Sequence, residues 1–145
     1  MNTILFLCTG NYYRSRFAEE LFNHHAARQA LAWRACSRAL AIERGKGNVG
    51  AVSVLALEAL HARGCLPQGA DRMPQSCTHA DLQSADLAIA LKESEHRPLM
   101  RSRFPEWESR VEYWFVDDVD VSPPHVALRE IERGVERLLE KLKKD

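Results

Sequence analysis

Cys8 and Arg14 stand six positions apart in the run Cys8-Thr9-Gly10-Asn11-Tyr12-Tyr13-Arg14-Ser15. A thiol becomes a strong nucleophile as its thiolate, and a turn leading into a helix favours that form through backbone N–H groups and the positive end of the helix dipole. Arg14 adds a planar fork of donors that matches two oxygens of one phosphoryl group. Gly10 and Asn11 are residue types that tolerate a left-handed backbone, so the loop can curl and use the amides from Thr9 to Ser15 as an anion nest. Ser15 can donate a hydrogen bond to the sulfur. Reading Cys8 as only a small buried residue at a strand end leaves Gly10, Asn11, Arg14 and Ser15 unexplained.

Such a loop needs a strand before it and a helix after it. Thr3 to Cys8 is an apolar strand, and Ser15 to about Gln29 is helical, with Phe17, Leu21 and Phe22 on one side. A weaker strand is expected at 32–37, a surface loop at 44–48 and a helix capped by Ser53 that Gly64 ends. Residues 67–77 read as loop, and Thr78 with Asp81 flanks a short helical turn. Asp86 to Leu91 is a strand suited to burial on both faces, a charged helix holding Pro98 follows from about Lys92, and residues 111–116 form the last strand. Ser122 and Pro123 predict an N-cap and first helical position, ahead of Leu128, Ile131, Val135, Leu138 and Leu142 at helical spacing. Four strands alternating with helices predict an open α/β sandwich, whose sites lie beyond the carboxyl ends of its strands. Cys8 stands at one such end, and Asp117, Asp118 and Asp120 stand at another.

The 145 residues fit one domain, 1–145, and 46% hydrophobic with 28% charged residues is ordinary for a globular chain. Lys plus Arg and Asp plus Glu number 20 each, so no overall field favours nucleic acid or an acidic membrane. No basic leader precedes a long apolar stretch, and no apolar run approaches the roughly 20 residues of a membrane span. A cytoplasmic protein is expected. Cys8, Cys36, Cys65 and Cys77 show no C-x-x-C spacing and no disulfide pattern, which suits a reducing compartment. The adjacent pair His24-His25 points about 100° apart on a helix and makes a poor metal site. Neither a metal nor another cofactor is expected.

The cysteine loop resembles the signature of the low-molecular-weight protein tyrosine phosphatase family, a C-x-G-N-x-x-R-S near the amino terminus. The resemblance runs over essentially the whole chain in order and length, and is specific in the loop and in the late acidic segment. It implies a four-stranded parallel sheet with helices on both faces and the phosphate loop after the first strand. It also implies a metal-independent phosphomonoesterase. Cys8 would attack phosphorus, Arg14 and the loop amides would hold the charge, and an acid would protonate the leaving oxygen. The family takes that acid from an Asp-Pro pair, and its pattern of two apolar residues, one variable residue and Asp falls on Phe115, Val116, Asp117 and Asp118. Asp118 is therefore the expected acid, and Asp120, on the same face of an extended segment, is the reserve.

This is a divergent member. The proline after the acid is absent, Arg16 stands where a proline usually follows Arg-Ser and would add charge near the mouth, and Tyr12 matches neither tyrosine nor arginine phosphatases of the family. The aromatic wall after the acid is replaced by Val119 and Val121, although Tyr12, Tyr13, Tyr113 and Trp114 could supply another. The partner is a phosphorylated protein or small phosphomonoester, with oligomeric state and the phosphorylated residue left open. A non-catalytic phosphate-binding module is the alternative. Arsenate reduction is less favoured because Ala90-Leu91-Lys92 stands where a resolving cysteine is expected. Tyr13 occupies a loop position where many members carry a second cysteine, so oxidised Cys8 has no evident rescuer, although Cys36 near the end of the second strand could approach.

Overall fold

A computed structural model describes residues 1–118 and 121–144. The strands are β1 (Asn2–Cys8), β2 (Trp33–Ala39), β3 (Leu87–Ala90) and β4 (Glu112–Tyr113), and the helices are α1 (Arg14–Arg28), α2 (Val54–Ala62), α3 (His79–Ser84), α4 (Glu93–Arg103) and α5 (Pro124–Lys144). All strand pairs are parallel, in the order β2-β1-β3-β4. β1 is central, so its side chains alternate between two buried layers. Ile4, Phe6 and Cys8 face α1, α2 and α5, whereas Leu5 and Leu7 face Leu82 of α3 and Leu99 and Met100 of α4. The expected sheet and its helices on both faces are present.

Several boundaries differ from the sequence reading. β2 extends to Ala39 because its ladder with β1 continues to the pair Cys8 and Ala39. β3 is shorter than 86–91: Asp86 works as a cap, its carboxylate accepting from the Thr3 N–H at 2.8 Å while its own N–H donates to the Thr3 carbonyl at 2.9 Å. β4 covers only part of 111–116, because at Lys92 the chain after β3 turns toward α4 and no parallel partner is left. Beyond β4, Trp114 N–H still reaches Ala90 O at 2.9 Å and Val116 N–H reaches Leu91 O at 2.7 Å, while Phe115 bridges Lys92 in antiparallel fashion. In the segment 44–48, Arg44 and Gly45 end a 3₁₀ turn, Ile42–Gly45.

The helix ends follow their residue types unevenly. Thr78 and Asp81 form a reciprocal capping box on α3, and Gly64 leaves α2 with φ of 72°, a conformation that glycine adopts without Cβ strain. Ser53 occupies the N-cap position of α2, yet its hydroxyl makes no capping bond and its N–H donates to Tyr12 O at 2.9 Å. α5 starts one residue later than expected, with Pro124 at its first position and Pro123 O accepting from Val126 and Ala127 N–H. Pro98 lies inside α4, where it removes one backbone donor without ending the helix.

Tyr113 and Trp114 lie on opposite sides of the sheet, Tyr113 against the α4 layer and Trp114 against the α5 layer. The Trp114 ring sits on Gly134, where an added Cβ would come within 2.6 Å of it. Alanine in place of glycine mid-helix normally gains about 1 kcal/mol. Gly134→Ala is nevertheless expected to destabilise the protein by about 1–3 kcal/mol, the usual range for overpacking. Urea unfolding of the variant measures it, and a gain in stability would contradict the contact.

Candidate active site

β1 delivers Cys8 to the carboxyl end of the sheet, where Cys8 O and Thr9 O accept from Leu40 and Ala41 N–H, both at 2.9 Å. The chain reverses through Asn11, whose φ of 53° is left-handed, and enters α1 at Arg14. From Gly10 to Ser15 the backbone N–H groups donate to no other described residue. These are orphan donors at the start of a 15-residue helix, the arrangement that binds anions.

A buried polar network holds the loop from beneath. Cys8 Sγ lies 3.0 Å from Ser15 Oγ, and Asn11 Nδ2 donates both to Ser15 Oγ and to Ser37 Oγ at 2.9 Å. The Asn11 donation occupies an acceptor site on Ser15, which leaves the Ser15 hydrogen available to the sulfur. Ser37 donates to Glu19 Oε1 at 2.5 Å, and Arg72 closes the chain on Glu19 at 2.9 Å. Burial pushes the Glu19 carboxyl up, against the pull of Ser37 and Arg72. Gln75 N–H binds Asn11 Oδ1 at 3.1 Å, which fixes the amide orientation.

Arg16 differs from its expected role. It is 2% exposed, and its guanidinium donates to the carbonyls of Asn11, Ala51, Gly69 and Arg72 at 2.8–3.3 Å. It ties the loop to two others from inside rather than charging the mouth.

Cys8, Thr9, Gly10, Tyr12, Tyr13, Arg14 and Asp118 line one cavity of about 420 Å³. Asn11 and Ser15 are fully buried below it, so they can meet a ligand there only through the backbone. Asp118 Oδ2 is 3.5 Å from Arg14 Nη2. Asp117 is engaged elsewhere, accepting from Lys92 Nζ and, at 2.7 Å, from Ser122 Oγ. Asp120 lies outside the described residues, as does Val119. Of the four candidate wall aromatics, only Tyr12 and Tyr13 reach the cavity, and Tyr12 Oη donates to Val49 O at 2.5 Å. Arg44, Val49, Val54 and Leu55 also line it.

Three groups at this end of the sheet carried no recognised signal in the sequence. Glu95, in the first turn of α4, accepts from Arg14 Nη2 at 2.6 Å and also from Thr9 Oγ1. His96 is fully buried, and Lys92 N–H donates to its Nδ1 at 3.0 Å. That places the hydrogen of the neutral ring on Nε2, 3.0 Å from Glu95 Oε2. Burial raises the Glu95 pKa, but hydrogen bonds from His96, Arg14 and Thr9 outweigh it and hold the carboxyl far below its usual range. Arg72 likewise joined the network unannounced. The carboxyl end of β3, immediately before α4, was the available pointer to Glu95.

Tyr13 Oη is buried and finds no hydrogen-bond partner among the described residues. Burial and the Asp118 charge push the phenol up to about 12. An unpaired buried hydroxyl costs about 1–3 kcal/mol, so Tyr13→Phe is expected to raise stability by an amount in that range. Thermal unfolding at fixed pH tests this, and a lower Tm would mean that the hydroxyl is paired in solution.

Residues 3–145 match the family model described as low molecular weight phosphotyrosine protein phosphatase. The chain belongs to this family. It is thus a hydrolase whose relatives act on phosphorylated substrates. Among solved structures it is similar to the low-molecular-weight protein tyrosine phosphatase from T. tengcongensis, with 27% identity, a TM-score of 0.79 and coverage of 97% of this chain and 99% of that one. It is similar also to a solution structure of a low-molecular-weight protein tyrosine phosphatase from Bacillus subtilis, at 26% identity, TM-score 0.77 and coverage of 99% and 98%. YwlE arginine phosphatase from Geobacillus stearothermophilus shares the fold at 24% identity, TM-score 0.77 and coverage of 99% and 94%. No curated protein sequence matches the chain. Among the described residues, no helix is long and apolar enough to cross a membrane.

Proposed function

We propose that the protein is a phosphomonoesterase that works through a phosphocysteine at Cys8 and acts on a phosphorylated protein residue, with phosphotyrosine the first substrate to test. The observation that carries this reading is the single cavity shared by Cys8, Arg14 and Asp118. Cys8 Sγ forms a bond to phosphorus as the ester P–O bond breaks. The leaving oxygen takes its proton from Asp118, and the resulting carboxylate then draws a proton from the water that hydrolyses the S–P bond. Arg14 and the amides from Thr9 to Ser15 bear the charge of the transferring group, so no metal is needed for that task.

Hydrolysis of p-nitrophenyl phosphate in the presence of chelator tests the reading. Turnover supports it. Phosphate or vanadate binding without turnover would favour the binding-module alternative, and arsenate reduction lacks a cysteine at residues 90–92. A panel of phosphotyrosine, phosphoserine and phosphoarginine peptides then identifies the substrate, because the aliphatic rim of Val49, Val54 and Leu55 does not by itself select among them.

Oxidation offers a separate check on the nucleophile. Cys36 and Cys77 belong to the opposite layer of the sheet from Cys8, and the Cys65 thiol donates to Glu20 O at 3.5 Å. Burial pushes Cys36 up, Cys65 to about 11 and Cys77 to about 12, which keeps all three as thiols. Peroxide is therefore expected to inactivate the enzyme with poor recovery in thiol, leaving sulfinic or sulfonic acid at Cys8 by mass spectrometry. Full recovery from a Cys8 disulfide would overturn this expectation.

A further inference from the structure

We infer that Glu95 is the positioning residue for the phosphate-binding arginine, holding one edge of the Arg14 guanidinium so that the other edge faces the phosphoryl group. This rests on the reading of Arg14 as the group that binds phosphate. Guanidinium offers two edges for bidentate bonding, one formed by Nη1 and Nη2 and one by Nε and Nη2. Glu95 takes the first, with Nη2 donating to Oε2 at 2.6 Å and Nη1 to Oε1 at 3.4 Å. Nη1 also donates to Val116 O at 3.1 Å, so both its hydrogens are engaged. Nε makes no hydrogen bond to a described residue, and together with Nη2, whose other neighbour is Asp118 Oδ2 at 3.5 Å across the cavity, it forms the edge turned toward two phosphoryl oxygens.

The carboxylate is itself fixed in place. Thr9 Oγ1 donates to it from the phosphate loop, and His96 Nε2 lies 3.0 Å from Oε2. His96 in turn is locked by Lys92 N–H on Nδ1. The chain from the α4 turn through His96 and Glu95 to Arg14 thus sets the rotation of the guanidinium plane. Arg14 is 2% exposed, so water cannot readily take over this task if Glu95 is removed. A misaligned arginine would lose the fit to an equatorial pair of oxygens, a displacement worth about 100-fold in rate.

The test is a double-mutant cycle of Glu95→Ala and Arg14→Lys, read by calorimetric titration with inorganic phosphate and by steady-state kinetics. Glu95→Ala is expected to weaken phosphate binding about 10-fold and to lower kcat about 100-fold, with Glu95→Gln recovering part of both through its remaining carbonyl acceptor. In the Arg14→Lys background, Glu95→Ala should change little, since lysine has no edge to align. Additive losses in the cycle would assign Glu95 a role independent of Arg14 and overturn the inference. Tighter phosphate binding by Glu95→Ala would overturn it too, identifying Glu95 as a resident anion that competes for the site. The phosphate titration needs no turnover. Failure of the wild-type chain to bind phosphate would overturn the phosphate-site reading and this inference with it, whereas normal wild-type binding matched by Glu95→Ala would overturn the inference alone.

Discussion

Cys8→Ser is expected to abolish turnover and to leave inorganic phosphate bound at close to wild-type affinity. The substitution exchanges sulfur for an oxygen that is protonated at neutral pH and is a poor nucleophile without a nearby base. Among the described residues, the side chain hydrogen-bonded to Cys8 Sγ is Ser15, whose Oγ lies 3.0 Å away, already accepts from Asn11 and is itself no base. The anion site persists because it consists of other atoms, the N–H groups from Gly10 to Ser15 and the guanidinium of Arg14, which donate to nothing in the loop itself. The network of Asn11, Ser37, Glu19 and Arg72 that shapes the loop is also untouched. Phosphate titration together with p-nitrophenyl phosphate kinetics separates the two effects. Turnover near that of the wild type would remove the covalent route through Cys8, and loss of phosphate binding along with turnover would mean that the sulfur shapes the loop as well.

How much of this site can be read in the sequence depends on the distance over which each feature is determined. The loop is local, with strand, left-handed turn and helix written in eight consecutive residues, and it folds as those residue types require. A strand end alone offers Asp117, Asp118 and Asp120 alike, and Asp118 was singled out by the family pattern of two apolar residues, one variable residue and Asp; the structure puts Asp118 at the cavity and engages Asp117 with Lys92 and Ser122. The extents of β3 and β4 were not legible, since they depend on where neighbouring strands stop offering partners and not on local propensity. Arg16 misled for a related reason. A lone arginine after Arg-Ser reads as mouth charge, and its burial is made tolerable by the carbonyl of Asn11 together with those of Ala51, Gly69 and Arg72, brought from distant loops. Glu95 was hidden inside a charged helix, where most carboxylates are solvated. Its pairing with Arg14 joins residues 81 positions apart, a relation set by the sheet order.

Asp118→Asn is expected to slow hydrolysis of alkyl phosphates by about 100- to 10,000-fold, the range for a positioned acid, and to slow aryl phosphates with good leaving groups much less in their phosphorylation step. Asp118 lacks the proline that follows the family's acid, and backbone bonds restrain it instead. Asp118 O accepts from Val121 N–H at 3.0 Å and Ser122 N–H at 3.1 Å, which ties its carbonyl to the start of the segment leading into α5. Ser122 Oγ and Lys92 pin the preceding Asp117, so Asp118 is fastened on both sides while its carboxylate remains at the cavity near Arg14. Asparagine keeps the size and can still accept a hydrogen bond, but it cannot give up a proton to a departing alkoxide, whose need for one rises with the pKa of its conjugate acid. A series of phosphate monoesters with graded leaving groups, run as log kcat/KM against leaving-group pKa for wild type and Asp118→Asn, should therefore show a steeper dependence in the variant. Parallel lines would mean that Asp118 does not protonate the leaving group. A larger leaving-group effect from Asp120→Asn would move the acid two residues along the loop, and full activity in both variants would exclude the pair.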